Sequence, residues 1–573
     1  MSPLQALVAK SALAAQRLAG VVDRIERSGK WLRYMVAFAA GAVSILSFAP
    51  FFLSPVLFLT LPVLVWLLAP QTTPAASIGD RQSWRTHLRA TVLRGFAVGW
   101  WFGFGFHLAG LYWIGGAFLV QAEVFAWLLP FAVTLMPAGL AVFHGLAVGA
   151  VACIKGGPIV RVLALAVALF VSEWLRGNIL TGFPWNVLGY ALTYPLALMQ
   201  SAGVVGIYGL TLLTVIVFAM PLCVLADGRA RSNPARAGMA IVLATVAPIM
   251  VMFAYGWSAL SQPDPGTVPN VKLRLVQPSI VQSDKFLPEK RREIFERHLA
   301  LSRDGPRTPA GDASGFGDVT HVIWPEAALP FLALRTSEVA DQVAKVFPDD
   351  VMLVAGTLRL DGPLIRDGRR LRIFNSAFVM GGDGRVRNIY DKVHLVPFGE
   401  YLPFQETLEA MGLEQITRIR GGFAVGAAPR PVLNVPGLPP ANMLICYEIV
   451  FPDEIVLPDR RPGVLINLTN DAWYGTSSGP YQHFHQSRVR AVEQGLALIR
   501  VGNNGISATI DARGRTLAVL GLDVVGAADT ALPRSISPTL YATYGDALAW
   551  AMAIMLLLIL GIVGCGKFCR NSS

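Results

Sequence analysis

Three side chains between residues 320 and 450, a cysteine, a glutamate and a lysine, have types and places along the chain that could do chemistry. Cys446 closes the apolar run Met443-Leu444-Ile445 and is followed by Tyr447-Glu448, where a buried strand turns toward its next element. That position exposes a nucleophile. A thiol of ordinary pKa is only a few per cent ionised at neutral pH, and a nearby ammonium or base raises the useful fraction. Glu326 follows the strand-like residues 321–324 in WPEAALP, where Pro325 stops ladder pairing. Open α/β sheets place active residues at that C-terminal edge. Lys392 lies in YDKVHLVPFGEYLP between Asp391 and an apolar turn, with Glu400 eight residues on. Singly, the cysteine reads as buried filler and the charges as surface groups. Three such strand-end residues in one domain are what point to a site.

The elements that must hold these residues alternate short β-rich runs with helical ones: VKLRLVQ, KRREIFERHLALSR, THVIWPE, VMLVAGTLRL, FNSAFVM, ANMLICYE, GVLINLT and ALIRVGN. Strands alternating with helices imply an α/β domain with buried sheets. Residues 304–318 and 362–370 read as exposed loops.

The rest of the chain is of another kind. Of 573 residues, 54% are apolar and 15% charged, against about 25% charged in an average soluble domain. That composition predicts a membrane protein. Between residues 262 and 545 there are 30 basic and 30 acidic residues, so the remaining 18 basic and 7 acidic carry the whole +11 excess. The excess flanks apolar segments instead of forming a patch on a folded domain, which argues against nucleic acid as a partner. The cysteines, Cys153, Cys223, Cys446, Cys565 and Cys569, show no CxxC pair and no Cys/His ligand spacing, so neither a metal site nor a disulfide framework is expected.

A bilayer is spanned by about 20 apolar residues. Uncharged runs then predict eight transmembrane helices, at about 34–49, 51–69, 95–122, 124–154, 162–174, 196–225, 237–260 and 547–566. Basic residues are retained in cytoplasmic loops. With eight spans, 17 of the 18 fall on one side, Arg176 being the exception. This divides the chain into a cytoplasmic basic amphipathic tail (1–33), a seven-helix bundle (34–262), an extracytoplasmic catalytic domain (263–544), an eighth helix (545–566) and a cytoplasmic tail (567–573). Residues 4–25 form either a helix lying on an anionic leaflet or a solvated tail that only sets topology. Glu173 and Arg176, three apart on one helical face, serve as a bundle-stabilising ion pair or as a lipid head-group contact. His483 and His485 have no neighbouring carboxylate cluster and read as surface or packing residues.

The Glu, Lys and Cys, in this order and these contexts, resemble the nitrilase superfamily. More specifically, WPEAALP, NSAFVM, YDKVHLVPFGEYLP, ICYEIVFP and NLTNDAWYG, with EWLRGNILTGFPWNVLG in the apolar half, resemble the apolipoprotein N-acyltransferase family. The resemblance covers nearly the whole chain, eight-span layout included; the first 30 residues look like an extension, and Phe286 stands where the family commonly carries Trp. It implies an α-β-β-α sandwich of nitrilase type. It also implies that Glu326 is the general base, Cys446 the nucleophile and Lys392 the cation on the tetrahedral oxyanion. The Tyr447 N–H would be a second oxyanion donor, Glu400 would hold Lys392 or support the base, and Glu448 would shape the site.

The reaction so implied is ping-pong and needs no cofactor. A phospholipid gives an acyl chain to the cysteine, and the α-amino group of a diacylglyceryl-cysteine apolipoprotein takes it, the last step of lipoprotein maturation. The implied location is the bacterial inner membrane, with the catalytic domain periplasmic. Residues 402–413, with Leu408 and Met411, are either an apolar lid over the site or a surface amphipathic helix. Trp473, Tyr474 and Tyr481 line an acyl pocket or pack the sheet edge. A membrane-tethered amidase would use the same three residues with water as acceptor. A transporter with a ligand-binding domain is disfavoured because the spans hold few ionisable residues, essentially His107, Glu173 and Arg176.

Overall fold

Lipid offers a backbone no hydrogen-bond partner, so the apolar runs can be satisfied only as helices. The computed structural model describes residues 16–17, 20–25, 27–68, 81–227, 233–306, 313–361, 372–417, 421–457 and 459–570. Most of the amphipathic stretch 4–25 and all of the loop 362–370 lie outside the described residues. Two compact units result: Met1–Tyr112, Pro130–Ser261 and Tyr544–Ser573 in one, Trp113–Leu129 and Gln262–Thr543 in the other. The segment Trp113–Leu129, which falls inside the 34–262 stretch, thus groups with the sheet-bearing residues.

The first unit is helical: Lys30–Ser44, Leu57–Trp66, Arg81–Leu111, Leu129–Ala152, Pro158–Asn178, Ala202–Ala226 and Ala547–Arg570, with Pro234–Ile241 running through a π turn into Ala247–Ser261. Among the described residues five helical stretches are long and apolar enough to cross a membrane: Arg85–Leu119, Ala122–Ala152, Pro158–Asn178, Ala202–Ala226 and Ala235–Ser261. Ser54–Trp66 and Ala547–Ile562 are apolar but shorter. Small residues set the closest crossing. A Cβ on Gly41 would collide with the Phe102 carbonyl, and one on Gly105 with that of Phe38, so helices Lys30–Ser44 and Arg81–Leu111 meet backbone to backbone. Glu173 and Arg176 are both buried, 3.8 Å apart. Together they also bind the GFPWN segment: Arg176 donates to the carbonyls of Phe183 (2.5 Å) and Trp185 (2.9 Å), and Leu188 N–H donates to Glu173 (2.9 Å). Of the two readings offered above, these contacts fit the structural ion pair.

Among the described residues the second unit holds twelve strands: β1 Thr267–Gln277, β2 His321–Ile323, β3 Met352–Asp361, β4 Arg372–Gly381, β5 Val386–Asp391, β6 Val432–Leu433, β7 Ala441–Ile445, β8 Val464–Thr469, β9 Ala497–Gly502, β10 Ser507–Ile510, β11 Thr516–Leu520 and β12 Gly526–Pro533. They form two six-stranded sheets, ordered β12-β1-β2-β3-β4-β5 and β11-β10-β9-β8-β7-β6. One apolar layer lies between them, with Leu273, Leu275, Ile323, Val354 and Val379 from the first sheet and Met443, Ile445, Ile466, Leu468 and Ile499 from the second. Side chains alternate along a strand, so the intervening residues face outward. On the first sheet they pack under helices Arg291–Asp304 and Ser337–Val346, through Val322, Phe378, Phe295, Leu299 and Val343. On the second, Asn467 and Arg500 point toward helix Ser478–Gln494, where Arg500 bonds Ser487. Burial on both faces explains why the central strands read as continuous apolar runs.

Candidate active site

Glu326, Lys392 and Cys446 all lie just past a strand end, after β2, β5 and β7. Each is held by its backbone. Lys392 N–H donates to the Asn375 carbonyl of the neighbouring β4 (2.9 Å), and Gly426 N–H donates to the Lys392 carbonyl (2.8 Å). At the glutamate, Gly356 N–H bonds the Pro325 carbonyl, and Lys285 Nζ donates to the Glu326 carbonyl at 2.9 Å. A Cβ on Gly356 would stand 2.7 Å from Glu326 Cα, so only a glycine lets β3 pass this close. Cys446 opens the 3₁₀ turn Cys446–Val450 with φ of 52°, left-handed backbone that a non-glycine residue adopts at a cost.

Two carboxylates, Glu326 and Glu400, converge on one amide. Asn375 keeps the inward parity of Ala377 and Val379, and its Nδ2 donates to Glu326 Oε1 and to Glu400 Oε1, both at 2.8 Å. Lys392 Nζ is 3.0 Å from Glu400 and 3.8 Å from Glu326 Oε1. Val396 N–H completes Glu400 at 2.8 Å. Lys392 is 1% exposed, Cys446 5% and Glu326 8%.

Glu448, also buried, is a joint between the lysine and cysteine segments. Its carboxylate accepts from the N–H groups of Val393 (2.9 Å), His394 (3.0 Å) and Ile445 (2.7 Å), from the Tyr390 hydroxyl and from Arg430 (3.2 Å). Tyr447 packs edge-on against Phe451.

Burial dominates the electrostatics. It raises the Glu326 carboxyl, against Lys392 and with help from Glu400. It raises the Cys446 thiol, reinforced by Glu326 and opposed by Lys392. For Lys392 burial disfavours the ammonium, but Glu400 and Glu326 overcome it and hold the group charged, above the ordinary lysine range. Lys392 thus favours the thiolate, as a nearby ammonium should, but burial outweighs it and the net shift of the thiol is upward.

The tentative substrate residues divide. Phe286 is half exposed, next to buried Lys285. The stretch 402–413 contains one short helix, Gln405–Ala410, with Leu408 half-buried and Phe404 and Met411 85% and 71% exposed. It hangs from the Glu400 loop through Ile416 N–H to Phe398 O (3.1 Å) and Thr417 N–H to Gly399 O (3.2 Å). Trp473 and Tyr474 are half-buried in the turn Asp471–Tyr474, and the Tyr474 ring meets Trp113 edge to face, centroids 4.5 Å apart. His483 and His485 are packing residues, but His483 does have a carboxylate partner, Asp471, at 2.8 Å. That pairing, and the roles of Lys285 and Asn375, were not foreseen. For Asn375 the available signal was an amide inside the apolar run FNSAFVM, whereas Lys285, between Asp284 and Phe286 in the mixed stretch VQSDKFLP, reads as an ordinary surface lysine.

Comparison with known proteins agrees with this two-part organisation. Residues 40–220 match the family model described as apolipoprotein N-acyltransferase N-terminal domain, and residues 272–535 match the one described as carbon-nitrogen hydrolase. Apolipoprotein N-acyltransferase of Rhodopseudomonas palustris is 44% identical over 94% of this chain and 98% of its own length. That of Bradyrhizobium diazoefficiens is 44% identical over 95% and 98%. Among solved structures, an amidase from Nesterenkonia sp. aligns with a TM-score of 0.32 at 18% identity, covering 47% of this chain and 91% of its own. With relatives this similar along almost its whole length, the chain belongs to the apolipoprotein N-acyltransferase family.

Proposed function

We propose that this protein moves an acyl chain from a phospholipid to the N-terminal amino group of a diacylglyceryl-cysteine apolipoprotein, through a thioester on Cys446. The observation that carries the reading is the buried cluster in which Asn375 joins Glu326 and Glu400 beside a charged Lys392, at the strand ends that also present Cys446. In the first half-reaction Glu326 takes the thiol proton as sulfur attacks the ester carbonyl. The oxyanion forms against Lys392 and the Tyr447 N–H, and the lysophospholipid leaves with the proton. In the second, the lipoprotein amine attacks the thioester, Glu326 takes its proton and the thiolate departs. Glu400 holds Lys392 in place, and Glu448 keeps the lysine and cysteine segments in register. Residues 402–413, with Leu408 and Met411, act as an apolar lid that keeps water from the thioester; Phe286, Trp473 and Tyr474 contact the acyl chains.

The family membership and the five long apolar helices support a multi-pass protein of the bacterial inner membrane. The positive-inside count supports eight spans, with residues 263–544 on the periplasmic side. The test is intact mass of the purified protein after incubation with phospholipid. Wild type should gain one acyl chain and Cys446→Ala none; a diacylated peptide should then discharge the adduct as an amide. Release of free acid instead would make the protein an amidase, and no adduct under active conditions would remove the thioester mechanism.

A further inference from the structure

We propose that the buried Asp471–His483 pair is a positioning device that aims the Tyr447 N–H at the oxyanion, by gripping the Cys446 carbonyl in the same peptide plane. This rests on Cys446 being the nucleophile. A trans peptide is planar, and its C=O and N–H point in opposite directions. Whatever fixes the Cys446 carbonyl therefore fixes the direction of the Tyr447 N–H.

His483 Nε2 lies 3.2 Å from that carbonyl oxygen, and Asn467 Nδ2 is a second, longer donor at 3.4 Å. A carbonyl can only accept, so Nε2 carries a proton in every protonation state that satisfies the contact. The other ring nitrogen faces Asp471 Oδ1 at 2.8 Å. Asp471 is itself fixed by Arg500 (2.8 Å) and the Thr469 hydroxyl (3.0 Å). Asp471, His483 and Arg500 are all fully buried. The network reaches the Cys446 backbone from helix Ser478–Gln494 on the outer face of the second sheet, and its Thr469 hydroxyl also hydrogen-bonds the Cys446 thiol.

Two physical effects follow. The grip holds Cys446 in its left-handed conformation, which a non-glycine residue adopts only when its surroundings enforce it. Donation to the C=O also polarises the peptide, making the Tyr447 N–H a stronger donor at the moment negative charge develops on the acyl oxygen.

The test compares two reactions of the same sulfur in the full-length protein. Acylation passes through an oxyanion; alkylation by iodoacetamide is a displacement at carbon and forms none. In His483→Leu, acylation by phospholipid should slow about a hundredfold to a thousandfold, the value of one oxyanion donor. Alkylation should stay within about threefold, and the KM for phospholipid should hold. His483→Gln, whose amide can donate to the same carbonyl, should recover part of the loss. Asp471→Asn should show the same divergence more weakly, and carries the test if the leucine variant does not fold. Equal loss of acylation and alkylation would mean the pair only maintains the fold and would overturn the proposal, as would unchanged acylation. A wild type that alkylates at Cys446 but never acylates would instead remove the nucleophile assignment, and this inference with it.

Discussion

Replacing Asn375 with leucine should move the acidic limb of Cys446 acylation to higher pH. The Glu326 carboxylate must be ionised to receive the thiol proton. Burial and the Glu400 charge oppose that state, whereas Lys392 and the Asn375 amide favour it. The amide donates at 2.8 Å to Glu326, and a hydrogen bond to a charged group is worth about 1.5–3 kcal/mol. At 1.36 kcal/mol per pKa unit, losing it raises the carboxyl pKa, and with it the limb, by about one to two pH units. Below the new pKa the rate falls tenfold per unit; above it the plateau returns. The assay is the rate of acyl-adduct formation by intact mass across the pH range. Asn375→Asp, which places a third carboxylate between Glu326 and Glu400, should move the limb further the same way. A limb that stays where it is while the plateau drops would show that Asn375 only packs, and a downward shift would contradict the electrostatic reasoning outright.

Three other substitutions probe how the site is held. Glu448→Gln should cost about 3–5 kcal/mol of stability, because Arg430 would remain buried with its counter-ion gone; chemical denaturation reads this, and an unchanged midpoint would refute the joint described above. Gly356→Ala should leave the fold intact but displace the Glu326 backbone, since the new Cβ falls 2.5 Å from Ala327 N; a misplacement of about 1 Å costs about a hundredfold in rate, so near-normal acylation would show that the loop yields freely. Lys285 is held down at about 8 by burial, despite Glu326 and Cys446. The native state therefore releases this proton before the unfolded chain does, and stability gains with pH from about 8 to the ordinary lysine value of about 10.4. Subtracting the stability of Lys285→Met from that of wild type should isolate a rise over this window, and a flat difference would place the amine in solvent.

What could be read from the sequence depended on whether a residue's neighbours along the chain report its surroundings. Cys446 and Glu326 each end an apolar run, and an apolar run that stops at a reactive group marks a strand end. Lys392 was visible only by its motif, because β5 before it, Val386–Asp391, is largely exposed and does not read as a buried strand. The half-exposed β11 and the mixed β12 escaped for the same reason. Contacts made across the fold were out of reach. Asn375 finds Glu326 through the register of β4 on β3, and Asp471 finds His483 because a turn and a helix start converge below β8. In the helical unit hydropathy located the apolar segments, but helices such as Lys30–Ser44 and Leu57–Trp66 are too short for composition alone to say whether they cross a membrane.

The resting protonation of the site leads to a prediction in which two reactions of one sulfur change in opposite directions. Glu326 and Lys392 both act on the Cys446 thiol, the carboxylate raising its pKa and the ammonium lowering it, under a burial that raises it further. If the proton stays on sulfur until an ester arrives, the negative charge of Glu326 suppresses the free thiolate even though its basicity is needed for acyl transfer. Glu326→Gln should then accelerate alkylation by iodoacetamide at a given pH, because a charge opposing ionisation has gone, while abolishing acylation by phospholipid. Lys392→Met should slow both, since it removes a charge favouring thiolate and oxyanion alike. Were the resting state instead a thiolate already paired with a protonated Glu326, the glutamine variant, a neutral mimic of that acid, would alkylate at about the wild-type rate.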